Sequence, residues 1–257
     1  MDTIKLISLA LKLNSYKYVL AIDNKLFNIL MNSWIAKALS LGLIFASLTA
    51  AQLPIDAPAY ADKLYPVDEG VKDPSFNNFR QQLRSAIKRR DSKFILNRLA
   101  PNISVSFGVC GSGIKCFKEL WQPEKPNSEL WNELSEVIEL GGTFENNERG
   151  RLFCAPYVFT KFPSKVNGET IQGVTEYSVI TGKDVNVRSR PSLKAPVVAT
   201  LSYDIVKTSS EANNWVKITT PISGYVSSKF VRHPIDYRAC FQINKGRWVM
   251  TTFIAGD

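Results

Sequence analysis

The chain has 257 residues, of which 45% are hydrophobic and 21% are charged. This length accommodates two modest domains, each with enough apolar side chains to bury a core, so we do not expect a disordered chain. The formal net charge of +9 favours acidic partners. Because the Lys and Arg residues are scattered rather than collected into a block, we expect no nucleic-acid interface.

The first 61 residues have the layout of an export signal. From Met31 a short basic start, MNSWIAK, precedes the apolar run ALSLGLIFASLTAA and a small-residue end. The small-x-small pattern of residues 59–61 predicts cleavage before Asp62, with Thr49 to Ala51 as a second choice. The alternative is an uncleaved membrane anchor, which the shortness of the apolar run disfavours.

Residues 1–30 precede this signal, although export signals rarely begin so far from the N-terminus. The simplest explanation is that Met31 is the true initiator, so that residues 1–30 lie upstream of the start and residues 31–61 form the signal peptide. We therefore expect a periplasmic or secreted protein that has no membrane contact after cleavage.

Four cysteines, Cys110, Cys116, Cys154 and Cys240, follow the predicted cleavage site, and an even number in an exported chain indicates disulfide bonds. Cys110 and Cys116 bracket the glycine loop GSGIK, which can bring them together. Cys154 and Cys240 would then form the second bridge, although four cysteines allow three pairings. Because His233 is the only histidine, a metal site would have to be formed by the cysteines alone, and their spacing is not C-x-x-C. A metal site is therefore disfavoured, and no metal or other cofactor is expected.

The segment after Asp62 is rich in helical patterns. Amphipathic helices are predicted from Asp73 through Ile87, from Asp91 to about Ala100, around Ile114 to Trp121, and from Ser128 through Ile138, with Gly141 and Gly142 closing the last. Strands are predicted at Ile103, Val105 and Phe107, which alternate with serines, and from Leu152 to Phe162, where Pro156 indicates an edge or bulged strand. Residues 165–176 are predicted to be a linker.

From Tyr177 the pattern changes to short β-segments separated by turns. These segments read YSVITGKDVNVRSRPS, PVVATLSYDIVKTSS, NWVKITT and GYVSSKFV. Such spacing predicts a small all-β barrel. Its inward-facing set is predicted to be Val185, Val187, Val198, Leu201, Val206, Trp215, Ile218, Val226 and Val231.

The order of these segments resembles the bacterial Src-homology-3-type domain, in which a V-N-V-R-x-x-P-S strand precedes an aliphatic strand, an N-W-x-K-I strand and a closing G-Y-V strand. The resemblance covers residues 177–232 and implies binding of a peptidoglycan peptide or of a protein of the bacterial envelope. The candidate ligand-binding residues are Arg188, Arg190, Tyr203, Trp215, Tyr225 and Lys229. Arginine pairs well with the carboxylates that wall peptides carry. The alternative is that Trp215 packs in the core and the arginines only solubilise strand ends.

Residues Tyr237 to Phe253 are predicted to form two strands joined by a turn at Asn244 to Gly246. Because a lone hairpin is only marginally stable in water, we expect it to join a sheet of the helical segment. The predicted fold is α+β, with a discontinuous helical and curved-sheet domain of residues 62–164 and 237–257 that the Src-homology-3-like barrel interrupts. The element order and the terminal W-x-M-x-x-F pattern of that domain are similar to the nuclear-transport-factor-2-like fold, which implies a pocket.

Catalysis has little support in the sequence. His233 is the only imidazole available to activate a serine or cysteine nucleophile, and we expect it to be a solvated linker residue. Glu129, Glu133, Glu136 and Glu139 recur mostly opposite the apolar face of one predicted helix, where solvated carboxylates are expected. We therefore predict a non-enzymatic binding protein.

The alternative function belongs to the α+β domain, whose pocket would bind a small molecule or retain a carboxylate-based hydrolase activity. The aromatic side chains that could line such a pocket are Phe79, Trp121, Trp131, Tyr157, Phe159 and Trp248. For each of them a position in the core is favoured, because aromatic side chains dominate core burial.

Overall fold

The computed structural model describes residues 62–108, 110–148, 150–171 and 176–256. The predicted signal peptide and the segment upstream of Met31 lie outside these residues. No helix in the described residues is long and apolar enough to cross a membrane. The described residues belong to one compact unit, Asp56–Asp257.

The α-helices of the described residues all lie between Pro74 and Lys161. A 3-10 helix spans Glu69–Lys72, and α-helices span Pro74–Arg89 (α1), Ser92–Asn97 (α2), Ile114–Trp121 (α3), Leu130–Glu139 (α4) and Tyr157–Lys161 (α5). As predicted, α1 begins after Asp73, whose carboxylate accepts hydrogen bonds from the backbone N–H groups of Ser75 and Phe76. Asp91 caps α2 in the same way through the N–H of Phe94.

The strands of the described residues are, in chain order, β1 (Leu99–Ser104), β2 (Thr143–Asn147), β3 (Gly150–Ala155), β4 (Lys165–Val166), β5 (Glu169–Thr170), β6 (Tyr177–Ile180), β7 (Val185–Arg188), β8 (Val197–Leu201), β9 (Ile205–Ala212), β10 (Trp215–Thr220), β11 (Gly224–Ser227), β12 (Val231–Arg232), β13 (Arg238–Asn244) and β14 (Arg247–Ile254). They form a five-stranded sheet in the order β1-β14-β13-β3-β2, a seven-stranded sheet in the order β12-β6-β9-β10-β11-β7-β8, and the β4–β5 pair.

The five-stranded sheet combines strands from both ends of the described chain. The C-terminal hairpin β13–β14 pairs antiparallel with β3 and parallel with β1, so it lies inside the sheet. Its turn places Lys245 and Gly246 at positive φ, within the predicted turn. These pairings agree with a discontinuous α+β domain, although the division of the chain into domains stays a prediction.

The core of the helical half lies between α1, α3, α4 and the five-stranded sheet. Phe76 of α1, Phe117 of α3, Leu134 of α4 and Phe241 of β13 are each 0% exposed. The transfer of each such side chain from water into the core is favourable by about 1.5–3 kcal/mol. Of the aromatic side chains proposed for a pocket, Phe79, Trp121, Trp131, Tyr157 and Trp248 are buried, whereas Phe159 is 36% exposed.

Three predicted elements of this half were wrong in extent or type. The α2 helix ends at Asn97 because the chain then pairs with β14 and buries Leu99. The β1 strand in turn ends at Ser104, before the exposed Phe107. The predicted strand to Phe162 ends at Ala155, because Pro156 has no N–H to donate to a ladder, and α5 follows.

Two further differences concern short strands. β3 lies between β13 and β2 rather than at an edge of the sheet. β2 was not predicted, because its segment TFENN lacks a long alternation of apolar and polar residues. The segment 165–176, predicted to be a linker, contains the β4–β5 pair in its described part, and Val166 is fully buried there.

The seven-stranded sheet is formed by the segment for which a barrel was predicted. Val185, Val187, Leu201, Val206, Ile218 and Val226 are buried in its core as predicted. Val231 is partly buried against them. Val198 is 44% exposed, and Trp215 is half-buried because alternation along β10 directs Val216 and Ile218 inward instead.

Both predicted disulfide bonds are confirmed. Cys110 and Cys116 are bonded across the glycine loop, with their Cα atoms 5.5 Å apart. Cys154 and Cys240 are bonded between β3 and β13, where the two residues lie directly opposite each other. The second bond therefore joins chain segments that lie on either side of the seven-stranded sheet in sequence.

Candidate ligand-binding groove

A groove of about 430 Å³ lies on the surface of the seven-stranded sheet. Its wall is formed by Lys183, Asp184, Val185, Asn186, Arg188, Leu193, Asn213, Asn214, Trp215, Ser227, Lys229 and Phe230. We refer to it as the barrel groove, after the barrel predicted for this segment. It brings together three of the six predicted ligand-binding residues, namely Arg188, Trp215 and Lys229.

The β9–β10 turn positions the indole of Trp215. Asn213 and Asn214 form this turn with φ values of 51° and 64°, a left-handed conformation that asparagine tolerates well. The turn sets the register in which Val216 and Ile218 point into the core. Trp215 consequently lies on the outer face of β10, where its half-buried ring forms part of the groove wall.

Arg188 is held at the end of β7 by the loop that follows. One of its guanidinium nitrogens, Nη1, donates a hydrogen bond of 2.7 Å to the carbonyl oxygen of Ala195. The loop is closed by a second bond, from the N–H of Ser189 to the carbonyl of Pro196 at 3.0 Å. Because a guanidinium has five N–H donors in a fixed plane, this anchor orients the group while further donors remain for a ligand.

The groove carries an excess of positive charge. Lys183, Arg188 and Lys229 line it, and Asp184 is its one carboxylate. Among the described residues none of these three cations forms a salt bridge. The ammonium of Lys229 instead lies 4.7 Å from the ring centre of Phe230. The groove is therefore suited to an anionic group beside an apolar surface.

The other three predicted residues lie elsewhere. Tyr225 is opposite Arg188 in the β11–β7 pair, on the same outer face but outside the groove wall. Tyr203 packs against Tyr65 with their ring centres 5.6 Å apart, and Arg190 is exposed in the loop after β7. Three of the six predicted residues therefore share the groove wall and three do not, because strand alternation alone does not say which outward side chains share a concavity. The binding role of all six stays a prediction.

Sequence reasoning also missed groove residues of the loops and turns. Leu193 is 76% exposed, and Phe230 lies in the 3-10 helix Ser228–Phe230. The one usable signal was the Asn213-Asn214 pair directly before a predicted strand, which is typical of a tight hairpin turn.

Two side chains predicted to be solvated are half-buried instead. His233 has its Nδ1 atom 3.3 Å from the N–H of Ile235, from which it accepts a hydrogen bond. Glu133 of α4 is half-buried, whereas Glu129, Glu136 and Glu139 are exposed as predicted. Within the described ranges, no group of three or more His, Cys, Asp or Glu side chains is placed to hold a metal ion.

Part of the chain matches a known protein family. Residues 183–232 match the family model described as bacterial SH3 domain, and all the residues that line the groove fall within this range. No curated protein and no solved structure matches the chain. The similarity of the flanking segments to the nuclear-transport-factor-2-like fold stays unconfirmed. From the matched residues and the strands that they form, the chain contains a bacterial SH3-type domain.

Proposed function

We propose that the protein is an exported, non-enzymatic binding protein of the bacterial cell envelope, and that the barrel groove binds a carboxylate-bearing peptide of peptidoglycan or of an envelope protein. Domains of the matched family generally bind proteins or peptides. The observation that carries the proposal is the grouping of Arg188, Lys183 and Lys229 around the indole of Trp215.

The groove offers each part of such a peptide a partner. A planar guanidinium can bind a carboxylate through two parallel hydrogen bonds, and a hydrogen bond to a charged group contributes about 1.5–3 kcal/mol. The Trp215 ring offers an apolar surface for an aliphatic side chain. The amides of Asn186, Asn213 and Asn214 can exchange hydrogen bonds with a peptide backbone.

The disulfide bonds support the proposed cellular setting. The disulfide bonds Cys110–Cys116 and Cys154–Cys240 favour an oxidising compartment outside the cytosol. The hydrolase alternative stays a prediction that belongs to the α+β half.

Co-sedimentation with purified peptidoglycan sacculi tests the proposal. We expect residues 62–257 to sediment with sacculi at moderate salt. Arg188→Ala should weaken the affinity for sacculi at least about tenfold, which corresponds to about 1.4 kcal/mol of binding free energy. Arg190→Ala is the matched control, because it removes the same charge two residues away without touching the groove wall.

The outcomes separate specific binding from general charge attraction. If both variants lose binding equally, or if salt abolishes binding of all forms, the arginines act only as surface charge. If sacculi do not bind at all, the same pair of variants should be compared for capture of a carboxylate-bearing envelope protein. Failure there as well would contradict the proposal.

A further inference from the structure

We propose that the α+β half holds a second binding site, which takes an alkylammonium ligand in a cavity between α3, α4 and the chain that enters β13. The cavity has a volume of about 460 Å³. We refer to it as the α4 cavity, and the residues of its wall that matter here are Trp121, Lys125, Glu129, Glu133 and Tyr237. The site is separate from the barrel groove and does not depend on the function proposed for it.

Aromatic rings form one side of the α4 cavity. The rings of Trp121 and Tyr237 meet in a T-shaped arrangement with their centres 4.9 Å apart and an interplanar angle of 64°. Tyr237 also stacks on Phe253 at 5.3 Å, which fixes its orientation. An ammonium group near such rings is attracted by their quadrupoles, which contributes about 0.5–2 kcal/mol.

Two carboxylates line the same space, and in the described residues neither has a salt-bridge partner. Glu129 immediately precedes α4 and Glu133 lies one turn later, so both are on the same side of the helix. In the described residues neither carboxylate forms a salt bridge, and Lys125 is the one cation in the cavity wall.

The remaining carboxylates of the helix are paired. Glu136 lies 3.5 Å from the guanidinium of Arg232, and Glu139 lies 2.9 Å from that of Arg84. The helix therefore places its two unpaired carboxylates at the aromatic cavity and its two paired carboxylates outside it.

The electrostatics of two neighbouring groups reflect this negative charge. Burial raises the pKa of Glu133, the carboxylates of Glu136, Asp236 and Glu129 raise it further, and Arg232 opposes them. Burial also raises the pKa of the Tyr237 hydroxyl, with Glu133 and Glu129 adding to the effect. A cation that enters the cavity would offset the repulsion among these carboxylates.

The composition of the wall favours an organic cation over a metal ion. Calcium and magnesium sites usually bring several carboxylate and carbonyl oxygens together, whereas this wall has two carboxylates, the neutral side chains of Gln122, Asn127 and Ser128, and indole and phenol rings. Glu133 and Tyr237 also line a neighbouring cleft of about 1050 Å³ beside β12, so an uncharged tail of the ligand has space to extend. Carboxylates with aromatic rings are the partners that an alkylammonium group uses in proteins.

The test compares choline with 3,3-dimethylbutan-1-ol, which has nearly the same shape but no charge. Titration calorimetry of residues 62–257 should show choline binding at least about tenfold tighter than the alcohol, which corresponds to about 1.4 kcal/mol. Glu133→Gln and Glu129→Gln should each weaken choline binding several-fold. Glu139→Gln, a change of the same kind on the same helix but outside the cavity wall, should leave it unchanged.

A second pair of variants tests the aromatic wall. Tyr237→Phe should retain choline binding because the ring is kept, and Tyr237→Leu should weaken it. Circular dichroism and the thermal midpoint report whether each variant is folded. Equal binding of choline and the alcohol, no choline binding at millimolar concentration, or choline binding that the Glu133 and Glu129 substitutions do not change would overturn the proposal. The walls of the α4 cavity and the barrel groove share no residue, so Arg188→Ala should leave the affinity for choline unchanged. An absence of choline binding would therefore not contradict the function proposed for the barrel groove.

Discussion

Two charged side chains, Arg188 and Glu133, give the barrel groove and the α4 cavity opposite electrostatic character. The guanidinium of Arg188 is oriented by the Ala195 carbonyl and joins two lysines in the groove wall. Glu133 is half-buried and has no salt-bridge partner in the described residues, although Arg232 contributes a favourable interaction at longer range. We therefore expect the two sites to select ligands of opposite charge.

Glu133 should make the stability of the protein depend on pH. Its pKa is raised above the ordinary value of 4.5, chiefly by burial, so the folded state binds its proton more tightly than the unfolded state does. The folded state is then favoured below pH 4.5, and this contribution is lost as the pH rises through the raised pKa.

Glu133→Gln removes this dependence. The variant should have a higher thermal midpoint than the wild-type protein at pH 7, and the difference should shrink as the pH falls towards 4.5. Thermal unfolding followed by circular dichroism at pH 4, 5, 6 and 7 measures it, with Glu139→Gln as the exposed control on the same helix. A difference that is constant over this pH range would contradict the assignment.

At the scale of a single element, β10 serves both folding and binding through its two faces. Ile218 is 0% exposed in the core, whereas Trp215 lies on the outer face and borders the groove. The sequence pattern identified this strand, but it left two positions open for Trp215, one in the core, where large aromatic side chains are usually buried, and one in a ligand groove. The alternation of the pleat decided for the outer face, since Val216 and Ile218 occupy the inner positions.

Substitutions on the two faces of β10 should have different effects. Ile218→Ala should lower the free energy of unfolding by about 2–5 kcal/mol, because it leaves a cavity in the core. Trp215→Ala should cost less stability but should abolish most binding of the peptide ligand, because the groove loses its aromatic wall. Urea unfolding and sacculus co-sedimentation of both variants measure the two effects. The reverse pattern would place Trp215 in the core after all.

At the scale of the whole molecule, hydrogen bonds and salt bridges connect the SH3-type domain to the rest of the described chain. Arg232 of β12 donates a hydrogen bond of 2.7 Å to the carbonyl of Tyr237 and lies 3.5 Å from the carboxylate of Glu136. Lys63 pairs with Asp204 at 2.7 Å, so the chain before α1 also contacts this sheet. The Cys154–Cys240 bond connects the two segments of the five-stranded sheet around the domain.

The two disulfide bonds should contribute unequally to stability. Cys154–Cys240 closes a loop with a sequence separation of 86 residues, and Cys110–Cys116 closes one of 6. In the chain-entropy treatment these loops correspond to about 4–5 and about 2 kcal/mol. The double variant Cys154→Ala/Cys240→Ala should therefore lose more free energy of unfolding in urea than Cys110→Ala/Cys116→Ala. An equal or smaller loss would show that strain or residual structure in the unfolded chain outweighs loop length.

The sequence by itself determined the local features of the protein. Helix starts such as Asp73, the β-segments of the SH3-type domain and the terminal hairpin were predicted because capping, turn residues and alternation act within a few residues. Even the two disulfide pairings followed from spacing and exclusion.

Only the tertiary structure decided which of these side chains share a cavity. The groove joins Arg188, Trp215 and Lys229 from different strands and loops but excludes Arg190, which is two residues from Arg188. The α4 cavity joins Glu133 to Tyr237, about a hundred residues away in sequence. Such neighbours are set by strand register and by helix packing, which depend on contacts distant in the chain, so no local pattern encodes them.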